Sequence, residues 1–267
     1  QELAILLKTD GWKNEVAEKL AFWDPYDQSV SAGYFDPQWM FGIEDGFDVV
    51  IGNPPYMRVQ MIQKTQPEFM SYYRDHYQSA VGSFDLYAVC IERGYSLLSK
   101  NGQLAYIVPH KFFQATFGEG LRKLLTRSKA LRQIVRFGAE QVFEEATTYT
   151  CLLFLSEKTN EQFDLIEVKS LERGEEVLQA VRQREEHPDY ARETLLEPEI
   201  TGSGYGEKVD WDFSIGASNR VLKRMQQHPR KLGDLIRKIF QGIATSADKI
   251  YILEILSEKE NTYRCFS

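Results

Sequence analysis

Four consecutive residues, Asn53-Pro54-Pro55-Tyr56, are suited to chemistry on a planar amine. The lone pair of such an amine is delocalised into its ring, so two acceptors aimed at its N–H groups would make the nitrogen more nucleophilic. The Asn53 side-chain carbonyl and the Pro54 main-chain carbonyl can be those acceptors, on a backbone stiffened by the two prolines. Tyr56 offers a flat face for stacking on a base. The pattern predicts methyl transfer to an exocyclic amine without a histidine base or a metal, with a simple turn as the alternative.

The elements around this loop predict an α/β fold. The loop follows Phe47-Asp48-Val49-Val50-Ile51, a β-branched apolar run typical of a buried parallel strand. Open α/β sheets bind ligands at the carboxyl ends of such strands. The other apolar runs predict helices at 83–99 and about 116–129, and strands at 104–108, 131–137, 150–155 and 163–168. We expect Lys100-Asn101-Gly102 to end the first of these helices.

The stretch from Gly46 to about Leu155 resembles the catalytic half of an N6-adenine DNA methyltransferase. It is most similar to type IIG restriction–modification enzymes, in which a methyltransferase and a nuclease are fused in one polypeptide. The matching segments, in order, are 47–56, Phe84-Asp85-Leu86-Tyr87, 102–109 and Glu140-Gln141-Val142-Phe143. The resemblance implies that Tyr56 and Phe143 enclose a flipped adenine and that Pro55 contacts the cofactor. Tyr149 is a second candidate for the stacking role, and core packing is the alternative for Phe143.

The same resemblance implies a particular fold class and domain order. We expect a partial Rossmann-like sheet of the S-adenosylmethionine-dependent methyltransferases, lacking its first strands, followed by the start of a target-recognition domain. The expected domains are 1–170 (catalytic), 171–215 (charged linker) and 216–267 (truncated recognition domain). Only 52 residues precede Asn53, without a strand–glycine loop–helix pattern, so an internal fragment is expected. Gly202–Gly206 is the only candidate for a permuted cofactor loop.

The expected partner is double-stranded DNA, and the expected cofactor of the full-length protein is S-adenosylmethionine. The net charge is −7, but acids in 156–200 account for all of it, whereas 120–139 contains bases and no acid. The candidates for contacts to DNA phosphates are Arg122, Lys123, Arg127 and Lys129, with a solvated helix face as the alternative. Mg²⁺ is expected only for a nuclease domain outside this chain. We interpret the nuclease-like Glu167-Val168-Lys169 as alternation on an edge strand.

The remaining features place the chain in the cytoplasm. Three isolated cysteines, Cys90, Cys151 and Cys265, form neither a disulfide framework nor a zinc site, as is typical of a reduced compartment. No apolar stretch approaches the ~18 residues of a membrane-spanning helix, so we expect no membrane partner. The sequence does not indicate an oligomeric state.

Two other classes of function remain open from the sequence. The same loop type could serve a methyltransferase that acts on cytosine N4, on guanine N2 of RNA or on a protein glutamine amide. The chain could also be a non-catalytic DNA-specificity module that keeps the shell of a methyltransferase.

We predict that residues 1–267 alone neither bind S-adenosylmethionine tightly nor transfer a methyl group, because we find no glycine loop for the methionine and ribose. Stacking on Tyr56 and Phe143 contributes about 1–3 kcal/mol per base, too little to offset the extrusion of a paired adenine. Calorimetric titration with S-adenosylmethionine and a tritiated-methyl assay on mixed-sequence duplex DNA test this. Low-micromolar cofactor binding, or turnover above background, would contradict it.

Overall fold

The computed structural model describes most of the first 200 residues and a few pieces beyond them. The described residues are 2–11, 14–21, 35–65, 67–138, 140, 142–143, 149–200, 209, 211, 213, 215–216, 221, 224–225, 228–229, 253–257 and 262–265. Internal contacts divide the chain into two compact units, residues 1–219 and 220–267.

The first unit contains eight α-helices and six strands among its described residues. The helices are α1 (Glu2–Thr9), α2 (Asn14–Ala21), α3 (Pro37–Phe41), α4 (Val59–Thr65), α5 (Glu68–His76), α6 (Leu86–Ser96), α7 (Glu119–Ser128) and α8 (Gly174–Gln183). The strands are β1 (Phe47–Gly52), β2 (Leu98–Pro109), β3 (Leu131–Arg136), β4 (Thr150–Ser156), β5 (Gln162–Val168) and β6 (Tyr190–Leu196). Two short 3₁₀ turns, His110–Phe113 and Thr116–Gly118, connect β2 to α7. The α/β class predicted from the sequence is therefore confirmed.

The six strands form one mixed sheet in the order β1-β2-β4-β3-β5-β6. Strands β1 and β2 are parallel, as are β3 and β5, whereas β4 and β6 run antiparallel to their neighbours. Because β4 is antiparallel to both β2 and β3, the strands β1, β2, β3 and β5 share one direction. Their carboxyl ends, together with the start of β4, therefore form one edge of the sheet. This edge carries the Asn-Pro-Pro-Tyr loop.

The prediction that β1 is buried is wrong, although its parallel pairing is confirmed. In the described sheet β1 is the outermost strand and pairs only with β2. Two side chains that a buried strand would enclose, Val49 and Ile51, are 66% and 80% exposed. A β-branched run gives the strand its conformation, but whether its faces are covered depends on neighbours that are distant in the sequence.

The predicted end of helix α6 at 100–102 is also wrong. The helix ends at Ser96, and residues 98–109 form β2. Pairing of Leu98 with Phe47 and of Gln103 with Val49 draws this segment into the sheet. Helix α6 lies so close to β2 that a Cβ added at Gly94 would collide with the Tyr106 side chain. A glycine at this position allows the approach.

The predicted linker 171–215 is part of the folded unit. It supplies α8 and β6, and β6 pairs with β5 over its whole length, so β5 is an internal strand rather than an edge. The buried ring of Trp211 packs on Phe112 and Phe113, and its indole N–H donates to the Thr126 hydroxyl at 3.1 Å. A high density of charge indicated a linker, but apolar residues at intervals are enough to add a strand and to fill a core.

The second unit has one described element pair, the antiparallel strands β7 (Leu253–Ser257) and β8 (Thr262–Cys265). The segment Gln241-Gly242-Ile243, on which the prediction of a recognition domain rests, lies outside the described residues, as does Gly202–Gly206. Assignment of the two units to catalysis and target recognition stays a prediction. No helix in the described part of the chain is long and apolar enough to cross a bilayer.

Glu197, directly after β6, makes stability depend on pH. Burial raises the pKa of its carboxyl from 4.5 to about 8, against the smaller opposing effects of the Leu131 backbone N–H and of Lys129. The folded state then keeps a proton that the unfolded state loses, so the free energy of unfolding falls as pH rises between these two pKa values.

We predict that Glu197→Gln makes the melting temperature less dependent on pH between pH 5 and pH 8 and raises the melting temperature at pH 8. The exposed Glu186→Gln is the control; equal pH profiles for both variants would contradict the prediction.

Candidate active site

The Asn-Pro-Pro-Tyr loop leaves the carboxyl end of β1 and is clamped against the start of α6. The Leu86 N–H donates to the Met57 carbonyl at 2.8 Å, and the Val59 N–H donates to the Phe84 carbonyl at 3.0 Å. Between them Arg58 and Asp85 form an antiparallel bridge. The sequence match at 84–87 therefore marks the segment that holds the loop in place.

Within the loop, neither of the two candidate acceptors has a hydrogen-bond partner among the described residues. The Asn53 side chain is exposed, and no hydrogen bond engages it among the described residues. Pro54 is buried, and the Met57 N–H bonds the carbonyl of Pro55, at 3.1 Å, rather than that of Pro54. A rigid backbone with an uncommitted amide and carbonyl suits the recognition of N–H donors.

Tyr56 is fixed at two points. Its hydroxyl donates to the Ile107 carbonyl at 3.0 Å, and its ring meets the edge of the Tyr87 ring at a centroid distance of 6.3 Å. Burial, with a smaller contribution from Cys151, raises the pKa of Tyr56 to about 12, so the phenol stays protonated and keeps this hydrogen bond near neutral pH. The ring is nevertheless 37% exposed. It thus offers a held aromatic face to a ligand at this sheet edge.

Two polar groups beside the loop were not identified from the sequence. Asp85 is half-buried, and burial raises the pKa of its carboxyl, whereas Arg58 and Lys111 oppose the rise. The Tyr87 hydroxyl is buried without a hydrogen-bond partner among the described residues, and burial raises its pKa. Both residues lie in the segment matched at 84–87, but their polar atoms become notable only through burial.

The two candidates for the second stacking ring differ in how they are held. Phe143 is half-buried, and no ring contact joins it to Tyr56 among the described residues. Tyr149 is 50% exposed and stacks on His110, its carbonyl accepting the His110 N–H at 3.2 Å. His110 in turn stacks on Phe113. The stacking role of Phe143 stays a prediction, with Tyr149 better fixed at this edge.

Arg122 does not fit the predicted role in phosphate binding. It is 7% exposed, and its guanidinium donates to three carbonyls, those of Phe112 at 2.5 Å, Ala115 at 2.8 Å and Val209 at 3.3 Å. Its position on an amphipathic basic helix suggested solvent exposure, but the helix face it occupies is the one that packs on the turns after β2.

The three other basic candidates have different surroundings. Lys123 pairs with Glu119 at 2.7 Å, and Lys129 pairs with Glu161 at 2.7 Å. Arg127 is exposed. All three stay predictions as DNA contacts.

The structure describes two further residues that the sequence singled out, Glu167 of the nuclease-like motif and Pro55, the expected cofactor contact. Glu167 forms an ion pair with Arg136 at 2.8 Å, and within the described ranges no cluster of three or more His, Cys, Asp or Glu side chains could hold a metal. Pro55, within the loop, is exposed, and its predicted contact with the cofactor stays a prediction. The candidate glycine loop for the rest of S-adenosylmethionine, Gly202–Gly206, lies outside the described residues.

Comparison with known proteins defines the class as a restriction–modification methyltransferase. The family model of the Eco57I restriction-modification methylase matches residues 5–143, just over half of the chain. The chain therefore belongs to the Eco57I restriction-modification methylase family.

Two curated relatives have similar sequences. The type II restriction enzyme and methyltransferase RM.Eco57I of Escherichia coli is 35% identical over 224 residues, which cover 81% of this chain and 20% of that protein. The type II methyltransferase M.BstVI of Geobacillus stearothermophilus is 28% identical over 78% of this chain and 37% of that protein. The chain thus spans between a fifth and two fifths of these relatives.

Solved structures with a similar fold include the type IIG restriction endonuclease BpuSI, with a TM-score of 0.43 and 17% identity over 56% of this chain and 19% of that chain. Another is a modification subunit of a putative type I restriction enzyme from Vibrio vulnificus YJ016, with a TM-score of 0.46 and 21% identity over 67% of this chain and 40% of that chain.

The placement of Arg122 leads to a prediction about stability. Replacement by Met should lower the free energy of unfolding by at least about 2 kcal/mol, because hydrogen bonds from a charged group are lost and buried carbonyls are left unsatisfied. Lys123→Met, on the same helix, should cost less than about 0.5 kcal/mol, since a partly exposed i,i+4 pair contributes little. Chemical denaturation of both variants measures this; equal, small losses would contradict the structural role of Arg122.

Proposed function

We propose that this chain carries the methyl-acceptor half of an adenine-N6 DNA methyltransferase in a restriction–modification enzyme. The observation that supports this most directly is the clamped Asn-Pro-Pro-Tyr loop, which presents an unengaged amide beside a held aromatic ring. Family membership and the names of the curated relatives supply the reaction class, and the loop supplies the chemistry.

In the proposed mechanism the loop activates the amine. Asn53 Oδ1 and the Pro54 carbonyl accept hydrogen bonds from the two N–H groups of the exocyclic amine, which localises its lone pair for attack on the methyl group. As the nitrogen–carbon bond forms, the bond between that carbon and the donor sulfur would break, and the nitrogen would release one proton to solvent. The face of Tyr56 stacks on the base once it has left the duplex, with Phe143 or Tyr149 opposite. S-adenosylmethionine would supply the methyl group, and the proposal assigns Pro55 to a contact with it.

The proposal extends to the partner and the cellular location. Double-stranded DNA is the substrate, and modification of a cell's own DNA places the protein in the cytoplasm. A nuclease activity, with its Mg²⁺, would belong to a part of the protein other than this chain.

Asn53→Ala should reduce the turnover of the whole protein by about 10² to 10³, by analogy with removal of one oxyanion donor, while DNA affinity is nearly unchanged. The loss falls on kcat because the hydrogen bond to Asn53 is needed mainly in the transition state. The measurements are tritiated-methyl transfer and DNA binding. Asn101→Ala is the matched control, because Asn101 is exposed and lies on β2, away from the loop.

The product distinguishes this proposal from its alternatives. Mass spectrometry of hydrolysed DNA should show N6-methyladenine, whereas N4-methylcytosine, a modified RNA guanine or a methylated glutamine would identify another acceptor. Normal turnover with failed DNA binding in Asn53→Ala would make Asn53 a recognition residue instead. No transfer to any acceptor by the whole protein would favour the non-catalytic module.

A further inference from the structure

A pocket of about 360 Å³ lies beside the turns that follow β2. Its lining combines aromatic rings with hydrogen-bond donors, and no acidic side chain is among the lining residues that the structure describes. The residues that matter for its chemistry are Phe113, Trp211 and Phe213 on the apolar side, and Lys111, Gln114 and Arg136 on the polar side.

The composition of this pocket favours an anion. Phe113 and Trp211 are 5% and 2% exposed, so the wall behind the cations belongs to the dry core. A cleft lined by one sign of charge against a wall of low dielectric concentrates the electric field. Lys111 and Gln114 are exposed, so their donors are accessible to a ligand in the pocket.

The pocket adjoins the Asn-Pro-Pro-Tyr loop. Lys111 is close enough to Asp85 to influence its carboxyl, and Asp85 is bridged to Arg58, two residues after Tyr56. The Ile107 carbonyl that holds the Tyr56 hydroxyl precedes Lys111 by four residues.

We propose that this pocket binds a backbone phosphate of the DNA strand that carries the target base, with Lys111 as the principal contact and Gln114 as a second donor. This rests on the proposed function and adds a positioning site to it. Arg136 contributes less, because its ion pair with Glu167 at 2.8 Å partly neutralises its charge. A phosphate contact carries no sequence information, but it fixes where the extruded base meets Tyr56.

The salt dependence of DNA binding tests whether Lys111 contacts a phosphate. With the whole protein and a mixed-sequence duplex, Lys111→Gln should reduce the slope of log Kobs against log[salt] by about 0.9, the value for one released counterion. Lys111→Arg should restore it. The control is Lys158→Gln, an exposed lysine just after β4, at the opposite edge of the sheet, which should leave the slope unchanged.

Replacing single DNA phosphates by uncharged analogues identifies the phosphate that Lys111 contacts. On a duplex that contains the protein's own methylation site, single methylphosphonates are placed at the phosphates flanking the target base. One of them should weaken binding by the wild-type protein, and the same one should cause no further loss in Lys111→Gln, as a double-mutant cycle requires for a direct contact. Additive losses at every position, or an unchanged salt slope, would overturn the proposal.

These readouts separate the two proposals. They measure binding alone, so they remain decisive even if Asn53→Ala turns over normally and the proposed chemistry fails. Conversely, loss of turnover in Asn53→Ala with an unchanged slope in Lys111→Gln would support the chemistry and reject the phosphate pocket.

Discussion

The clamp between the Asn-Pro-Pro-Tyr loop and the start of α6 is the constraint on which the site depends. Strand β1 has only one neighbour in the described sheet, so pairing alone would leave the loop at its end poorly fixed. Two backbone hydrogen bonds, from Leu86 to Met57 and from Val59 to Phe84, bind the loop to a helix that packs tightly on β2. The two prolines then need to stiffen only the four residues of the loop. Asn53 can therefore be exposed to a ligand while its backbone is held in place.

Burial divides the basic residues into two groups with different roles. Arg122 points inward and binds the Phe112, Ala115 and Val209 carbonyls, so a residue expected to face DNA instead holds the turns after β2. Those turns present Lys111 and Gln114 at the pocket. The inward-facing arginine and the outward-facing lysine are thus connected: the first fixes the backbone that orients the second. Charge along the sequence does not reveal this division.

Residues 156–200, which contain the excess of acids, show that a highly charged sequence can still contribute to a core. Residues 174–196 add a helix to the folded unit and a strand to its sheet, although they carry six acids against three bases. Strand β6 pairs with β5, so Glu167 lies on an internal strand, where it forms an ion pair with Arg136 on the neighbouring strand β3.

The sequence by itself determined the strands β1 to β5, helices α6 and α7, the Asn-Pro-Pro-Tyr loop and the family, because apolar periodicity and short motifs are local properties. Tertiary structure alone decided that β1 is exposed, that Arg122 is buried and that Lys111 lies near Asp85. Each of these depends on contacts between residues far apart in the sequence. Exposure and proximity are set by what packs against a residue, and no local pattern encodes that partner.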